Sequence, residues 1–410
     1  MSRTRVIPHT EALYVGPSDA TGAHFEWEQT GVVSDSFNEA QDSNEALNAA
    51  TTVAGFAAGV VNKVKQLHRI QDISYSFTSS KEDVFQFGEL AARDRVLLAP
   101  PTVALSFSYV LNNFANEQSL GFIIDESATC IKNLLNKTED EKNYFIKTSA
   151  EGVDAVGDTT NVGEAIAIGN AFVTSYSSEA SVGNFPTVSV GAEGMNIVFE
   201  NAVSGRFLPS IDSVTQVRST GYTYHLPDAT SNFSGIDTGI SALSVIRPGD
   251  IKLTMRKRLS DSEAEASAAY DFPGVDIVNA CIQSYSLSFD LSRTAIQCLG
   301  KRFPVDREID LPSNVTLSVS ALQGDLVTGN LSNFVNCDND YDVIIDLFQP
   351  VCVGESTTLA AKYKLKNASI DSQSFSSSIG DNKTVTLDFV SQVSGPNQTT
   401  KGLFMSGDVI

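Results

Sequence analysis

The chain has few of the residues on which metal centres, disulfide frameworks and catalytic sites depend. Its 410 residues include five cysteines, four histidines and one tryptophan. The cysteines are scattered, odd in number and never spaced as C-x-x-C, which favours free, mostly buried thiols over a disulfide framework or a zinc site. The histidines never occur at metal-ligand spacing, and His68, which precedes a predicted strand, is interpreted as a packed or surface residue.

Long apolar runs and positive charge are also scarce. No stretch reaches the roughly 20 apolar residues of a membrane-spanning helix. No apolar segment follows Arg3 and Arg5 as in a signal peptide, so we expect assembly in the cytoplasm. The net charge of −21, from 28 basic and 49 acidic residues, argues against a surface that grips nucleic acid as a whole. The one dense basic run, Arg256-Lys257-Arg258, ends a predicted strand, Ile251–Met255. An acidic surface suits a protein that lets DNA pass without sticking.

Motifs of common enzymes and cation sites are missing or incomplete. The sequence contains no phosphate loop and no nucleophile elbow. The cluster Asp338-Asn339-Asp340-Tyr341-Asp342 begins like an EF-hand, but Val343 and Gln349 occupy the positions that need Gly and Glu. We interpret it as an acidic turn before a strand, with an adventitious calcium site as the alternative. We therefore predict no enzyme, no cofactor, and no catalytic, cofactor-binding or metal-binding residue.

An internal repeat is the strongest feature that is present. Residues 70–108 align with residues 282–320 at a constant offset of 212, without a gap, and fourteen of the thirty-nine positions are identical. Roughly one identity in sixteen is expected from average composition. A second block, Asn170–Val190 over Asn367–Leu387, repeats at an offset of 197, and Tyr144 over Tyr341 keeps that offset. Two blocks in the same order indicate a duplicated unit.

Alternating apolar and small polar residues predict strands in both copies. The predicted strands are Ile73–Phe77, Val103–Tyr109, Tyr285–Phe289 and Val315–Ser320, with a hairpin of Phe172–Tyr176 and Thr187–Val190. Each pair of repeated strands is joined by a long loop, Thr78–Ala99 or Asp290–Leu311, and loops of that length are usually functional. Strands dominate, which predicts a mainly β fold.

Helices are expected only on the flank of the strands. Ser127 is a plausible N-cap for a helix over Ala128–Asn136, with Ile131, Leu134 and Leu135 on one face. Further helices are predicted over Asn44–Gln66 and Leu331–Val335. We place the first module in residues 1–205, a connector with the start of the second module in 206–270, and the second module in 271–410. Ser260–Ala269 is the best linker candidate.

Several short motifs resemble the tail tube proteins of tailed bacteriophages, including the subset with two tube modules per chain. They are Gln66-Leu67-His68-Arg69-Ile70-Gln71, Tyr75-Ser76-Phe77, Asp83-Val84-Phe85-Gln86-Phe87-Gly88, Pro101-Thr102-Val103 and Phe107-Ser108-Tyr109. The opening Ala12-Leu13-Tyr14-Val15-Gly16-Pro17 and Ala20-Thr21-Gly22 are similar to the start of such virion proteins. The resemblance covers about two thirds of the chain.

This resemblance implies two tandem tail-tube-like β-sandwich modules, each with a flanking helix, whose inner strands form a shared β-barrel in the oligomer. It implies homotrimeric rings stacked into a virion tail tube, with viral DNA passing through the lumen without sequence recognition. The implied neighbours are tape measure, baseplate and terminator proteins. The two long loops would reach the next ring.

Two other hypotheses also give the chain a structural or binding role. A tube initiator or baseplate ring would share the fold. A virion-surface binding β-sandwich would need clustered exposed aromatic side chains, whereas Trp27 is the only tryptophan and most Tyr and Phe follow the strand pattern. An enzyme is disfavoured by the missing catalytic set.

Overall fold

The protein is mainly β. The computed structural model describes residues 11–18, 65–137, 139–148, 155, 164–200, 206–207, 209–218, 224–225, 245–257, 281–323, 341–351, 357–379, 382–393 and 395–407. Of these residues, 59% lie in strands and 5% in helices, which confirms the predicted class. None of the helices in these ranges is long and apolar enough to span a bilayer.

The elements follow one another in chain order. The strands up to residue 207 are β1 (Glu11–Pro17), β2 (Lys65–Gln66), β3 (Ile70–Thr78), β4 (Lys81–Val84), β5 (Asp94–Leu97), β6 (Thr102–Val110), β7 (Glu141–Thr148), β8 (Glu164–Ser181), β9 (Thr187–Gly194), β10 (Asn196–Glu200) and β11 (Arg206–Phe207). The later strands are β12 (Tyr224–His225), β13 (Ile251–Lys257), β14 (Cys281–Asp290), β15 (Arg293–Ile296), β16 (Asp306–Ile309), β17 (Asn314–Leu322), β18 (Tyr341–Phe348), β19 (Leu359–Ser376), β20 (Thr384–Gln392) and β21 (Gly402–Gly407). The helices are α1 (Ala115–Ser119) and α2 (Lys132–Leu135), with a 3₁₀ turn at Pro248–Asp250.

Two groups of four strands have the same order and lie side by side in one antiparallel sheet. The first group is β3-β6-β9-β8 and the second is β14-β17-β20-β19, with β8 paired to β14. Alternation decides which face of each strand is buried: Val103, Leu105 and Phe107 of β6 are buried, and the residues between them face outward. The strands predicted from this pattern are confirmed, as is the β8–β9 hairpin.

The two longest strands, β8 and β19, change neighbours along their length. The first half of β8 lies between β7 and β10, and its second half lies between β9 and β14. The neighbours of β19 change in the same way, from β18 and β21 to β20. The change occurs at Asn170 (φ 51°) and Asn367 (φ 56°), a left-handed conformation that asparagine tolerates better than most residues.

The repeat is also visible in a shared hydrogen bond at these asparagines. The backbone N–H of Asn170 donates to the Asn143 side chain at 3.1 Å, and that of Asn367 donates to Asp342 at 3.0 Å. The residues that follow, Tyr144 and Val343, lie opposite Ile168 and Leu365, which are themselves at the offset of 197. The alignment of Tyr144 with Tyr341 is therefore wrong by two positions.

The helix predicted over Ala128–Asn136 is shorter than expected. Only Lys132–Leu135 is helical, because the Ser127 hydroxyl donates to Asp125 at 2.5 Å instead of capping, and the Cys130 N–H donates to Leu403 at 3.0 Å. The predicted apolar face is confirmed, because Ile131 and Leu134 are buried and Leu135 is half-buried.

The remaining helix predictions are wrong at one end or lie outside the described residues. The helix predicted over Asn44–Gln66 ends wrongly, because Lys65–Gln66 forms β2. The rest of that segment, together with Leu331–Val335, Ser260–Ala269 and Asp338–Asp340, lies outside the described residues.

Candidate functional site

A seam between the two strand groups is the central feature of the sheet. The second half of β8 pairs with β14, from Ser181 opposite Ser284 to Ser175 opposite Asp290. The Phe289 ring stacks on Tyr176 with a centroid distance of 5.3 Å. Inward-facing side chains of β14 are almost fully buried there, with Leu287 at 0% and Phe289 at 2% exposure. The seam is therefore a packed ladder with an apolar back.

The two strand edges that meet at the seam, on β14 and β8, have repeat equivalents on β3 and β19. Among the described strands, neither equivalent edge has a partner. Within the described ranges, β3 pairs only with β6, and the second half of β19 pairs only with β20. Tyr75 and Phe77, the equivalents of Leu287 and Phe289, are 39% and 65% exposed, and Phe375 of β19 is 47% exposed. An unpaired strand edge with exposed aromatic side chains is a template for pairing with another chain.

The long loops contain short hairpins, and the second hairpin, β15–β16, packs on the first group. Arg293 binds Asp140 through two hydrogen bonds of 2.8 and 2.6 Å, with the arginine side chain 1% exposed and the carboxylate side chain 5% exposed. Burial raises the pKa of Asp140, and the Arg293 charge opposes that rise. The guanidinium also lies 4.8 Å from the centre of the Phe172 ring. Arg307 pairs with Glu193 on the same surface.

The first hairpin, β4–β5, has no such packing. Every residue of its two strands is exposed. Its apolar side chains Val84, Phe85, Val96, Leu97 and Leu98 are all open to solvent. The loops were expected to contact a neighbouring ring. The contact that β15–β16 makes within its own chain was not expected from the sequence.

The outer face of the sheet carries hydroxyl and acidic groups. The strand pattern puts Ser74, Ser106, Ser177, Ser189, Ser286, Thr316 and Thr386 on this face, together with Glu179 and Asp388. Asp388 accepts a hydrogen bond from Ser318 at 2.7 Å and another from Ser372. No Lys or Arg occurs in β3, β6, β8, β9, β14, β17, β20 or the part of β19 after Asn367. The face is therefore neutral to acidic.

One acidic group with a strongly raised pKa, Glu117, lies in the core rather than at a surface. Burial raises the pKa of Glu117 to about 7, although Tyr109 and Tyr176 donate hydrogen bonds to it at 2.6 and 3.0 Å. Tyr176 in turn lies 2.7 Å from the hydroxyl of Tyr363 in the second group. Glu117 is 0% exposed, so we interpret this cluster as a bond between the groups, not as a reaction centre.

The histidines and cysteines that the structure describes lie on separate strands and loops. No group of three or more His, Cys, Asp or Glu in the described ranges is placed to hold a metal. His68 is half-buried, and its backbone N–H donates to the side-chain oxygen of Asn116 at 2.8 Å. Cys130 is buried but Cys281 and Cys298 are exposed, so the expectation of mostly buried thiols is wrong for two of the three described cysteines. Comparison of the chain with protein-family models and with curated proteins found no match to either.

Proposed function

We propose that this chain is a structural virion protein that assembles into stacked rings forming a phage tail tube, a conduit for viral DNA. The observation that carries the proposal is the seam. The β8–β14 seam is one packed joint inside the chain. The repeat equivalents of its two edges, β3 and the second half of β19, each have a free edge among the described strands. In this proposal the two strand groups are the inner sheets of two tandem tube modules, each a β-sandwich with a flanking helix.

The repeat offsets give the register of the joint between chains. Leu287 lies opposite Ser178 in the seam, and their equivalents are Tyr75 of one chain and Phe375 of the next. Ser74 would likewise lie opposite Ser376. Joining β19 to β3 repeats the seam geometry and, with three chains as the resemblance implies, closes the sheet into a barrel. Closure removes both exposed edges.

The outer face of the sheet fits a channel for DNA. No Lys or Arg occurs in β3, β6, β8, β9, β14, β17, β20 or the part of β19 after Asn367, so the face that these segments form offers no fixed positive partner for phosphates. Hydroxyl groups with scattered carboxylates such as Glu179 and Asp388 would line the lumen. Carboxylates repel the DNA backbone, which keeps a passing duplex mobile.

Negative-stain electron microscopy of the full chain, expressed alone and concentrated, tests this proposal. We expect hollow rings of three chains, or stacked tubes. Compact monomers, even with a tail initiator complex supplied, would refute it. That result would favour a virion-surface binding protein, whose contact site would then be the exposed Phe85 and Phe87 of the first hairpin. Rings that never stack would favour an initiator or baseplate ring.

A further inference from the structure

We propose that the β4–β5 hairpin of one chain docks in a groove on the second strand group of a second copy. The inference rests on the proposed ring and adds a contact separate from the β19–β3 joint. Its basis is that the equivalent hairpin, β15–β16, already occupies the equivalent surface of the first group within the chain.

The docked hairpin shows what the contact is made of. Arg293 and Arg307 reach Phe172 and Glu193 of the first group, and Arg293 also binds Asp140, which directly precedes β7. At the tip, Lys301 donates to the Val214 carbonyl at 2.6 Å and the Phe303 N–H donates to Gln216 at 2.7 Å. The contact therefore runs along the whole hairpin.

The equivalent surface of the second group holds an open groove. Its volume is about 450 Å³, and its lining is mostly polar, with Asn314, Ser369, Gln392 and Lys401 beside Val390 and Val393. Ser369 and Val390 are the repeat equivalents of Phe172 and Glu193, two of the residues that β15–β16 contacts. The groove thus lies where a hairpin sits on the other group.

The β4–β5 hairpin has features expected of the segment that would fill this groove. It keeps Lys81, Asp94 and Arg95 at the positions of Arg293, Asp306 and Arg307. It adds exposed apolar side chains, Val96 and Leu98, where the second hairpin and its flank have Glu308 and Asp310. In the receiving surface Val390 replaces the acid Glu193, which makes that position apolar, whereas Ser369 replaces Phe172, which makes that position polar.

The hairpin of the same chain does not fill the groove. All of its strand residues are exposed. β3 and β20 are separated by β6, β9, β8, β14 and β17 in the sheet order. At about 4.8 Å per strand this is on the order of 29 Å along the sheet. A β19–β3 joint to a second copy instead places its β4–β5 hairpin beside the groove, as the seam places β15–β16 beside the first group.

Charged substitutions at Val390 and Arg95 in the full-length chain test this contact. We expect Val390→Lys to raise the concentration needed for ring formation at least about tenfold, because like charges would be juxtaposed. Adding Arg95→Glu to that variant should restore most of the loss. Thr386→Lys, on the same strand and face but outside the groove lining, is the matched control and should leave assembly unchanged.

The outcomes separate this inference from the proposed function. Ring formation is read by sedimentation velocity, and thermal melts show that each variant is folded. If the parent forms rings and Val390→Lys has no effect, or Arg95→Glu does not rescue it, the hairpin contact is refuted while the tube proposal stands. If the parent forms no rings at all, both fail.

Discussion

Phe77 and Phe289 occupy the same place in the repeat but should respond to mutation in opposite ways. Phe77 is 65% exposed at the edge of β3, and Phe289 is 2% exposed in the seam. Of the roughly 200 Å² of a phenylalanine, Phe77 therefore leaves about 130 Å² for a joint to cover. At about 25 cal/mol per Å² this is worth about 3 kcal/mol per joint. Phe77→Ser should raise the concentration for ring formation on the order of 100-fold.

The matched variant Phe289→Ser should instead destabilise the chain itself by about 3–5 kcal/mol, because it opens a cavity under Tyr176. Sedimentation velocity over a concentration series measures assembly, and thermal unfolding of the unassembled chain measures stability. We expect Phe77→Ser to keep the melting temperature of the parent. A Phe77→Ser chain that assembles like the parent, or that melts as early as Phe289→Ser, would refute the equivalence of seam and joint.

Two further predictions concern stability within the chain. Arg293→Ala should lower the free energy of unfolding by about 3–5 kcal/mol in urea titrations, because it leaves Asp140 buried without its cation. Lys81→Ala, at the exposed equivalent position, should lower it by less than about 0.5 kcal/mol. Equal losses would contradict the different packing of the two hairpins. Burial raises the pKa of Glu117 to about 7 from 4.5 in the unfolded chain. Its contribution is therefore fully present below pH 4.5 and is lost as the pH rises through 7, by up to about 3 kcal/mol. Glu117→Gln should flatten the pH dependence of unfolding over that window, and an unchanged slope would refute the assignment.

The strands could be predicted because the information for them is local. A period of two across Val103–Tyr109 or Tyr285–Phe289 specifies both the strand and its buried face. The repeat predicted which strands are equivalent. The sequence could not show that β8 pairs with β14, because Ser177 and Ser288 are too small and polar to specify a partner.

The short helices and the hairpin contacts were beyond sequence reasoning for another reason. The Ser127 side chain was predicted to cap a helix, but a carboxylate two residues away competes for its hydroxyl. The Arg293–Asp140 pair joins residues 153 positions apart, and no local pattern marks it. The aligned Lys81 and Arg293 were a usable signal, since a charge retained in both long loops points to a contact.

If the chain forms the proposed ring, the seam would also affect how fast that ring begins to form. A chain with a single strand group would have to find every neighbour by diffusion, whereas here one joint in each pair is already made when the chain folds. In the proposed ring only every second joint would have to form by an encounter between chains, so the nucleation rate would depend on a lower power of concentration. Such a chain can start rings while still dilute, which shortens the time that the bare edges of β3 and β19 stay open to misdirected pairing.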